Sequence, residues 1–367
     1  MKNNKLKFAC SVFMLSLFLF SNAFAAVPGS ANAQTTTGII IASYLEIDPN
    51  TKMPRSNGAY KIDLNDGSIK QIVAEGGKVE AASPDGQHLL VFKPGELLIT
   101  DLDGKTISQV SITFNGDSEF IQACFSPDST RAIFIARDSE TSKKGVYSTD
   151  LNGAEFLQIA KPGTNPLILF SSFNPNGVYW LKATVDKNNI PRYTSLMVTN
   201  LSTKLTKTAW VAPTPWIVFS PDKIHMAYLP KMTSISKNIL NISELDGKNR
   251  VDLIGPRSPD KEMRDIYLTG KYWAYPLNWS PDGSQLLVHV YKQVTATDEY
   301  YVFDVKGNVI SRRLPLSWST AWSPDGTQIA FFSNGILSIF DLASNNVVRT
   351  FNLANGWNVA LYWMVSN

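Results

Sequence analysis

Short apolar runs alternate along the chain with clusters of Pro, Asp, Asn and Gly, and one such junction recurs with its flanks little changed. It reads "ASPDGQHLLVF" (82–92), "FSPDSTRAIFI" (125–135), "FNPNGVYWLKA" (173–183), "FSPDKIHMAYL" (219–229), "WSPDGSQLLVHVY" (279–291) and "WSPDGTQIAFF" (322–332). Its prolines, Pro84, Pro127, Pro175, Pro221, Pro281 and Pro324, are spaced 43, 48, 46, 60 and 43 residues apart. Proline presets φ at the second position of a type I turn. Asp or Asn tolerates the third, and Gly suits the last, where φ is often positive. An apolar strand follows each time, so each junction predicts a tight β-hairpin.

A second junction interleaves with the first: "DLNDG" (63–67), "DLDG" (101–104), "DLNG" (150–153), "NLSTK" (200–204), "ELDG" (244–247), "DVKG" (304–307) and "DLASNN" (341–346). Each stands between two short strands, as "GELLIT" and "ISQVSI" flank the second copy. A unit therefore holds two hairpins and four strands, and that content at a period in the forties predicts a β-propeller blade. The second junction occurs seven times and the first six. "WNVALYW" (357–363) supplies the missing strand, with Trp363 standing where Trp322 stands in "STAWSPDG". "GIIIASYLEI" (38–47), in turn, begins in mid-unit. The expected fold is all-β: a seven-bladed β-propeller of four-stranded antiparallel blades. Its ring closes when the C-terminal strand joins the N-terminal blade as the innermost strand, which removes an open edge. A single propeller domain then spans 38–367.

The aromatic-Ser-Pro-Asp-Gly junction followed by Asp-Leu-x-Gly resembles the WD-repeat-like propeller family of periplasmic TolB. It is also similar to the propellers that precede the hydrolase domain of prolyl-oligopeptidase-type peptidases. The likeness covers about 38–367 and implies the propeller fold. The chain departs from TolB, which carries a small α/β domain before six blades, and from the peptidases, because no hydrolase domain follows the seventh unit.

The first residues alter the reading of charge and compartment. Lys2, Lys5 and Lys7 precede an apolar run, "FACSVFMLSLFLF" (8–20), and an Ala23-x-Ala25 cleavage pattern. This predicts a signal peptide over 1–25, with an alternative cleavage after Ala33, and a flexible N-terminal segment over 26–37. The run is shorter than the roughly 20 residues of a membrane span, so no transmembrane segment is expected. Of 34 basic residues three lie in this signal, leaving 31 against 31 acidic ones. That balance argues against nucleic acid as a partner. Cys124 is the one cysteine left after cleavage, so the exported chain holds itself by packing rather than by an internal disulfide. The expected location is the periplasm or the cell surface and medium, and the expected state is a monomer.

No catalytic signature stands out. There is no G-x-S-x-G elbow, phosphate-binding loop, H-E-x-x-H or C-x-x-C, and no catalytic residue, metal or cofactor is expected. His88 and His225, four residues after their prolines, read as solvated hairpin flanks. His289 stands where other units carry Phe92, Ile135, Ala183, Leu229 and Phe332, and reads as a buried, hydrogen-bonded core residue. The aspartates, Asp101 and Asp103 among them, read as turn formers that accept backbone N–H groups rather than as calcium ligands. Cys124 reads as a packed small residue on an innermost strand.

The repeated turns share one face, and the variable loops lie on the other. These are 48–57, 138–145, 185–192, 230–238 and 292–299, with only short links at 93–95 and 333–335. Variation on a rigid scaffold is where binding tends to sit. The longest irregular stretch, 255–276, accounts for the 60-residue spacing and is expected to cross this face near the channel mouth. Within it, "SPDK" (258–261) is expected to be a helix N-cap or a turn, with Ser258 capping, Pro259 starting and Asp260 or Glu262 at the positive end. The candidate binding residues are Arg257, Lys261, Arg264, Tyr267, Lys271, Tyr272 and Trp273, with Trp216, Trp318 and Trp357 from the starts of inner strands. Two functions follow: a non-catalytic scaffold for a partner protein or envelope polysaccharide, or an enzyme such as a polysaccharide or cyclic-ester lyase. In the second, His289 with Tyr275 or Glu299 is the place to look.

Overall fold

The structure is a computed structural model of the 367-residue chain. It describes residues 37–365 apart from 48–53, 111–117, 139–142, 161–166, 171–176, 186–190, 212–215, 223, 231–238, 334 and 354–356. The signal peptide, the segment after it, the turn at Pro175 and much of four variable loops lie outside the described residues.

Why the strands are apolar on both sides follows from what they pack against. Blade 1 contains β1 (Ile39–Ile47), β2 (Pro54–Asp63) and β3 (Ile69–Val73), and blade 2 contains β4 (Lys78–Ala82), β5 (His88–Lys93), β6 (Glu96–Asp101) and β7 (Thr106–Val110). Blade 3 is β8 (Ser118–Phe125), β9 (Arg131–Asp138), β10 (Lys144–Asp150) and β11 (Leu157–Ala160). Blade 4 is β12 (Leu167–Phe170), β13 (Gly177–Val185), β14 (Pro191–Asn200) and β15 (Thr206–Val211). Blade 5 is β16 (Ile217–Phe219), β17 (His225–Tyr228), β18 (Leu240–Glu244) and β19 (Val251–Ile254), followed by helix α1 (Lys261–Thr269). Blade 6 is β20 (Tyr272–Trp279), β21 (Gln285–Lys292), β22 (Thr297–Asp304) and β23 (Val309–Leu314). Blade 7 is β24 (Thr320–Trp322), β25 (Gln328–Ser333), β26 (Ile336–Asp341) and β27 (Asn346–Asn352). Successive side chains of one strand point into opposite seams. Leu89 and Val91 pack toward blade 1, whereas Leu90 and Phe92 pack toward blade 3. A strand buried on both sides reads as a continuous apolar run, as β5 does, whereas outermost strands such as β3, β7, β23 and β27 keep exposed polar positions.

The ring closes as expected. The last strand, β28 (Trp357–Met364), pairs antiparallel with β1 and becomes the innermost strand of blade 1. Ile40 faces Trp363 and Ala42 faces Leu361 in this ladder. The result is seven four-stranded antiparallel blades.

The two recurring junctions fall where the spacing puts them, between the first and second strands and between the third and fourth strands of a blade. In the first junction serine is the hub. Ser280 N–H donates to the Gln285 carbonyl (2.8 Å), and its hydroxyl accepts from Gln285 N–H (2.9 Å) while donating to Asp282 (2.6 Å). Asp282 in turn accepts from Ser284 N–H (3.0 Å). Ser323 and Ser126 repeat the arrangement. Where blades 2, 6 and 7 place Gly86, Gly283 and Gly326 at positive φ, blade 3 has Ser129 at φ 60°, and its hydroxyl accepts from Asp85 N–H of blade 2 (2.9 Å). In the second junction Gly104 sits at φ 80°, and a Cβ there would lie 1.9 Å from the Ile72 carbonyl oxygen of blade 1. Asp101 serves turn geometry, as expected, accepting from Asp103 and Lys105 N–H, both at 2.9 Å; the Asp103 carboxylate instead accepts from Lys61 (3.1 Å) and Lys70 (3.3 Å) of blade 1.

Two expectations about 255–276 need correction. Asp260, not Ser258, is the N-cap: its backbone is extended (ψ 132°) and its carboxylate accepts from Met263 N–H (3.1 Å). Ser258 is buried and its hydroxyl donates to the Leu253 carbonyl (2.7 Å), so it cannot turn to the helix, and Pro259 precedes the cap. The helix also keeps to the outer part of the ring. Met263 and Ile266 enter the seam between blades 5 and 6, while Asp260 and Glu262 pair with Arg312 of the outermost strand of blade 6. Burying its apolar face demands a gap between blades, and α1 fills that gap as a wedge.

Candidate functional site

The inner strands of blades 5, 6 and 7 begin on the variable face, and each brings an aromatic residue there. Trp216 precedes β16, Tyr275 lies in β20 and Trp318 precedes β24. Their rings form a chain across the three blades, with Trp216 and Tyr275 centroids 4.5 Å apart and Tyr275 and Trp318 5.9 Å apart. All three are half-buried. Behind them sits His289 of β21, fully buried. Trp318 lies 3.9 Å from its ring, Tyr300 5.0 Å, and Tyr275 stacks parallel at 6.2 Å.

His289 is the core histidine expected; Tyr275 stacks on it as considered, Glu299 does not reach it, and its hydrogen-bond partner is Asp298. Nε2 and Asp298 Oδ1 are 2.6 Å apart, and Nδ1 is buried with no hydrogen-bond partner. Burial pushes the imidazole below its usual 6.5, and Asp298 opposes the shift only in part. A neutral ring that donates Nε2–H to Asp298 leaves Nδ1 as an acceptor. Tyr275 and Tyr300 are raised above the usual phenol value by burial, so both hydroxyls stay protonated. Glu299 belongs to a different network: it pairs with Lys292 (2.6 Å) and lies close to the Tyr301 hydroxyl. Hydrogen bonds and neighbouring cations hold its carboxyl low against the opposing effect of burial.

The other predicted binding residues scatter. Tyr272 is fully buried in the seam between blades 5 and 6, which removes it from any surface. The Arg264 guanidinium donates to the Ser258 and Pro259 carbonyls and so braces the start of α1. Tyr267 packs on the same seam. Lys261 is exposed and paired along the helix with Asp265 (3.0 Å); Arg257 is exposed 3.7 Å from Asp252. Lys271 is exposed, and its carbonyl accepts from Gln293 N–H (3.0 Å), tying the insertion to the 292–299 loop. Trp273 is half-buried beside Tyr291, with centroids 5.6 Å apart. The backbone of Trp357 opens β28; its side chain lies outside the described residues. Sequence reasoning missed Tyr291 and Asp298, although the loop carrying Asp298 was marked as variable. Only the strand register reveals that both share a side with His289.

His88 and His225 are less solvated than expected. Both side chains are 22% exposed, each near the Asp of its own turn, and His225 stacks on Trp279 at 6.2 Å. Cys124 packs against the seam between blades 3 and 4.

A buried carboxylate marks the ring's inner wall. Glu80 of β4 pairs with Lys78 (2.7 Å) and its backbone carbonyl accepts from the Tyr362 hydroxyl of β28 (2.5 Å). Burial raises its pKa above 4.5 against the pull of Lys78. The Tyr362 bond stitches blade 1 to blade 2, whereas the Lys78 pair lies within β4.

No protein-family profile and no curated protein matches the sequence. Solved structures do share its architecture. A TolB protein of Agrobacterium tumefaciens is 16% identical, with 80% of this chain and 96% of that one covered (TM-score 0.48). An oligogalacturonate lyase in complex with manganese is 13% identical over 86% of this chain and 95% of that one (TM-score 0.50). The acylaminoacyl peptidase of Pyrococcus horikoshii is 12% identical over 84% of this chain and 48% of that one (TM-score 0.54). Its structural neighbours are thus TolB and other propeller proteins, and they include enzymes. What they share with this chain is the propeller scaffold.

Proposed function

We propose that this propeller is an exported, non-catalytic binding scaffold whose partner, a protein or an envelope polymer, docks on the variable-loop face at the aromatic mouth. One observation carries the reading: Trp216, Tyr275 and Trp318, from three consecutive blades, converge half-buried on that face. Large rigid aromatics presented by a fixed backbone give much contact area for little lost entropy. The opposite face supports the same reading, because its turn carboxylates are engaged by their own loops. Export rests on the N-terminal signal pattern and agrees with the finding that no described helix is long and apolar enough to cross a membrane.

Photo-crosslinking in intact cells tests this. A photoreactive residue at Val294, which is 69% exposed on the variable face, is expected to yield a discrete adduct identifiable by mass spectrometry. The same residue at Ser284, in a turn of the opposite face, is expected to yield none. Equal adducts from both positions, or none from Val294, would sink the proposal. Recovery of the chain in the cytoplasmic fraction would sink its exported part.

A second reading, a propeller lyase, is favoured by the His289–Asp298 pair with its unpartnered Nδ1, the arrangement a general base uses. It expects unsaturated products from envelope polysaccharides that vanish in His289→Ala. The complete burial of His289 under Trp318 weighs against it.

A further inference from the structure

Blade 6 stands taller than blade 7, and the step between them leaves an aromatic and acidic ledge. The register aligns Trp273, Tyr291 and Asp298 across three strands, and Tyr275, His289 and Tyr300 in the row two residues below. Alternation puts both rows on one side of the sheet. That side faces blade 7, because Leu287, Tyr300 and Val302 in the same alternation pack on Trp322, Ile329 and Phe331. The lower row is closed behind the half-buried Tyr275: His289 is 0% and Tyr300 3% exposed. The upper row is more open: Trp273 and Tyr291 are half-buried and Asp298 is exposed. β25 ends at Ser333, the repeat equivalent of Val290, whereas β21 continues to Lys292. Two further residues raise blade 6 by about 7 Å.

Charge narrows what fits there. Nearby carboxylates are paired: Glu299 with Lys292, Glu262 with Arg312 and Arg313, and Asp260 with Arg312. The Asp298 side chain is 51% exposed, and among the described residues its one ion-pair neighbour is His289, which burial holds neutral. An anionic ligand would be repelled. A neutral ring would stack but leave the carboxylate without a counter-charge, which costs free energy when the ledge is covered.

We propose that the ledge of Trp273, Tyr291 and Asp298 recognises an arginine side chain of a partner protein. This rests on the reading of the variable face as a docking surface. The guanidinium plane stacks on the aromatic rings while its N–H groups donate to the free oxygen of Asp298. In this arrangement the partner, rather than the basic residues of α1, supplies the cation.

The probe is an acetylated and amidated Gly-Arg-Arg-Gly peptide, titrated against the full exported chain by tryptophan fluorescence at low and high salt. Its citrulline counterpart and a neutral oligosaccharide serve as comparators. Saturable quenching by the arginine peptide is expected, weakened by salt and reduced roughly tenfold in Asp298→Asn, the scale of one partly desolvated ion pair. Asn keeps an acceptor for His289, and unchanged thermal melting confirms the fold. Trp273→Ala is expected to remove most of the quenching. Equal binding of the citrulline peptide or the oligosaccharide, insensitive to salt and to Asp298→Asn, would overturn the proposal. So would a Val294 adduct that forms undiminished in Asp298→Asn cells, although that outcome leaves the docking face intact. Loss of the Val294 adduct in wild-type cells, by contrast, removes the docking face itself.

Discussion

Asn278 holds two blades together with one side chain. Its Nδ2 donates to the Thr320 carbonyl (3.1 Å), and its Oδ1 accepts from Trp322 Nε1 (2.9 Å), all of it buried. Asn278→Ala leaves an indole N–H and an inner-strand carbonyl unpaired in the core. The expected cost is about 2–3 kcal/mol, read as a shift of the urea midpoint at constant slope. His289 makes a different prediction. Its folded pKa lies below 6.5, so the unfolded chain binds the proton more readily. Stability is therefore present above pH 6.5 and is lost as pH falls below it. His289→Gln is expected to flatten that slope in thermal melts, and an unchanged slope would reject the assignment. Glu80 works in the opposite direction: its raised pKa favours the folded state below 4.5, and the advantage fades as pH rises toward the raised value. That His289 is buried was legible in the sequence, because it replaces a hydrophobe of the repeat. Its partner was not, since Asp298 reaches it diagonally across two strands and no local spacing encodes a register.

At the scale of elements, α1 is the one irregular insertion among the described strands of the repeat, and its anchoring is electrostatic as well as apolar. Asp260 caps the helix and meets Arg312; Met263 and Ile266 fill the seam. Asp260→Ala is expected to destabilise by about 1–2 kcal/mol, the scale of a lost N-cap, and to speed amide exchange across 261–269. Asp260→Asn, which can still cap, is expected to restore most of the protection. Met263→Ala is expected to cost about 2–5 kcal/mol through the cavity it leaves. A short helix was legible here. Its cap was not, because Ser258 and Asp260 are both good caps by type and only the fold commits Ser258 to the Leu253 carbonyl.

The whole ring depends on its closing ladder. β28 covers Ile40 and Ala42 and lends Tyr362 and Trp363 to the seams on either side of blade 1. Deleting 357–367 is expected to expose that edge and those seams, giving a broadened thermal transition, dye binding to apolar surface and self-association. A deletion variant that melts as sharply as the full chain would contradict the closure. By itself the sequence determined the number of blades, the place of the repeated turns that are described and the strand that closes the ring. These are local matters: a turn needs its Pro, Asp and Gly within four residues, and a strand buried on both sides must be apolar throughout. Tertiary structure alone decided which aromatics meet, that Tyr272 is core while Tyr275 is half-buried at the mouth, and that α1 is a wedge. It also decided that, among the described residues, Asp298 lacks a lysine or arginine partner while its neighbours have one. Those outcomes depend on register between strands and on the relative height of blades, which are properties of residues far apart in the chain.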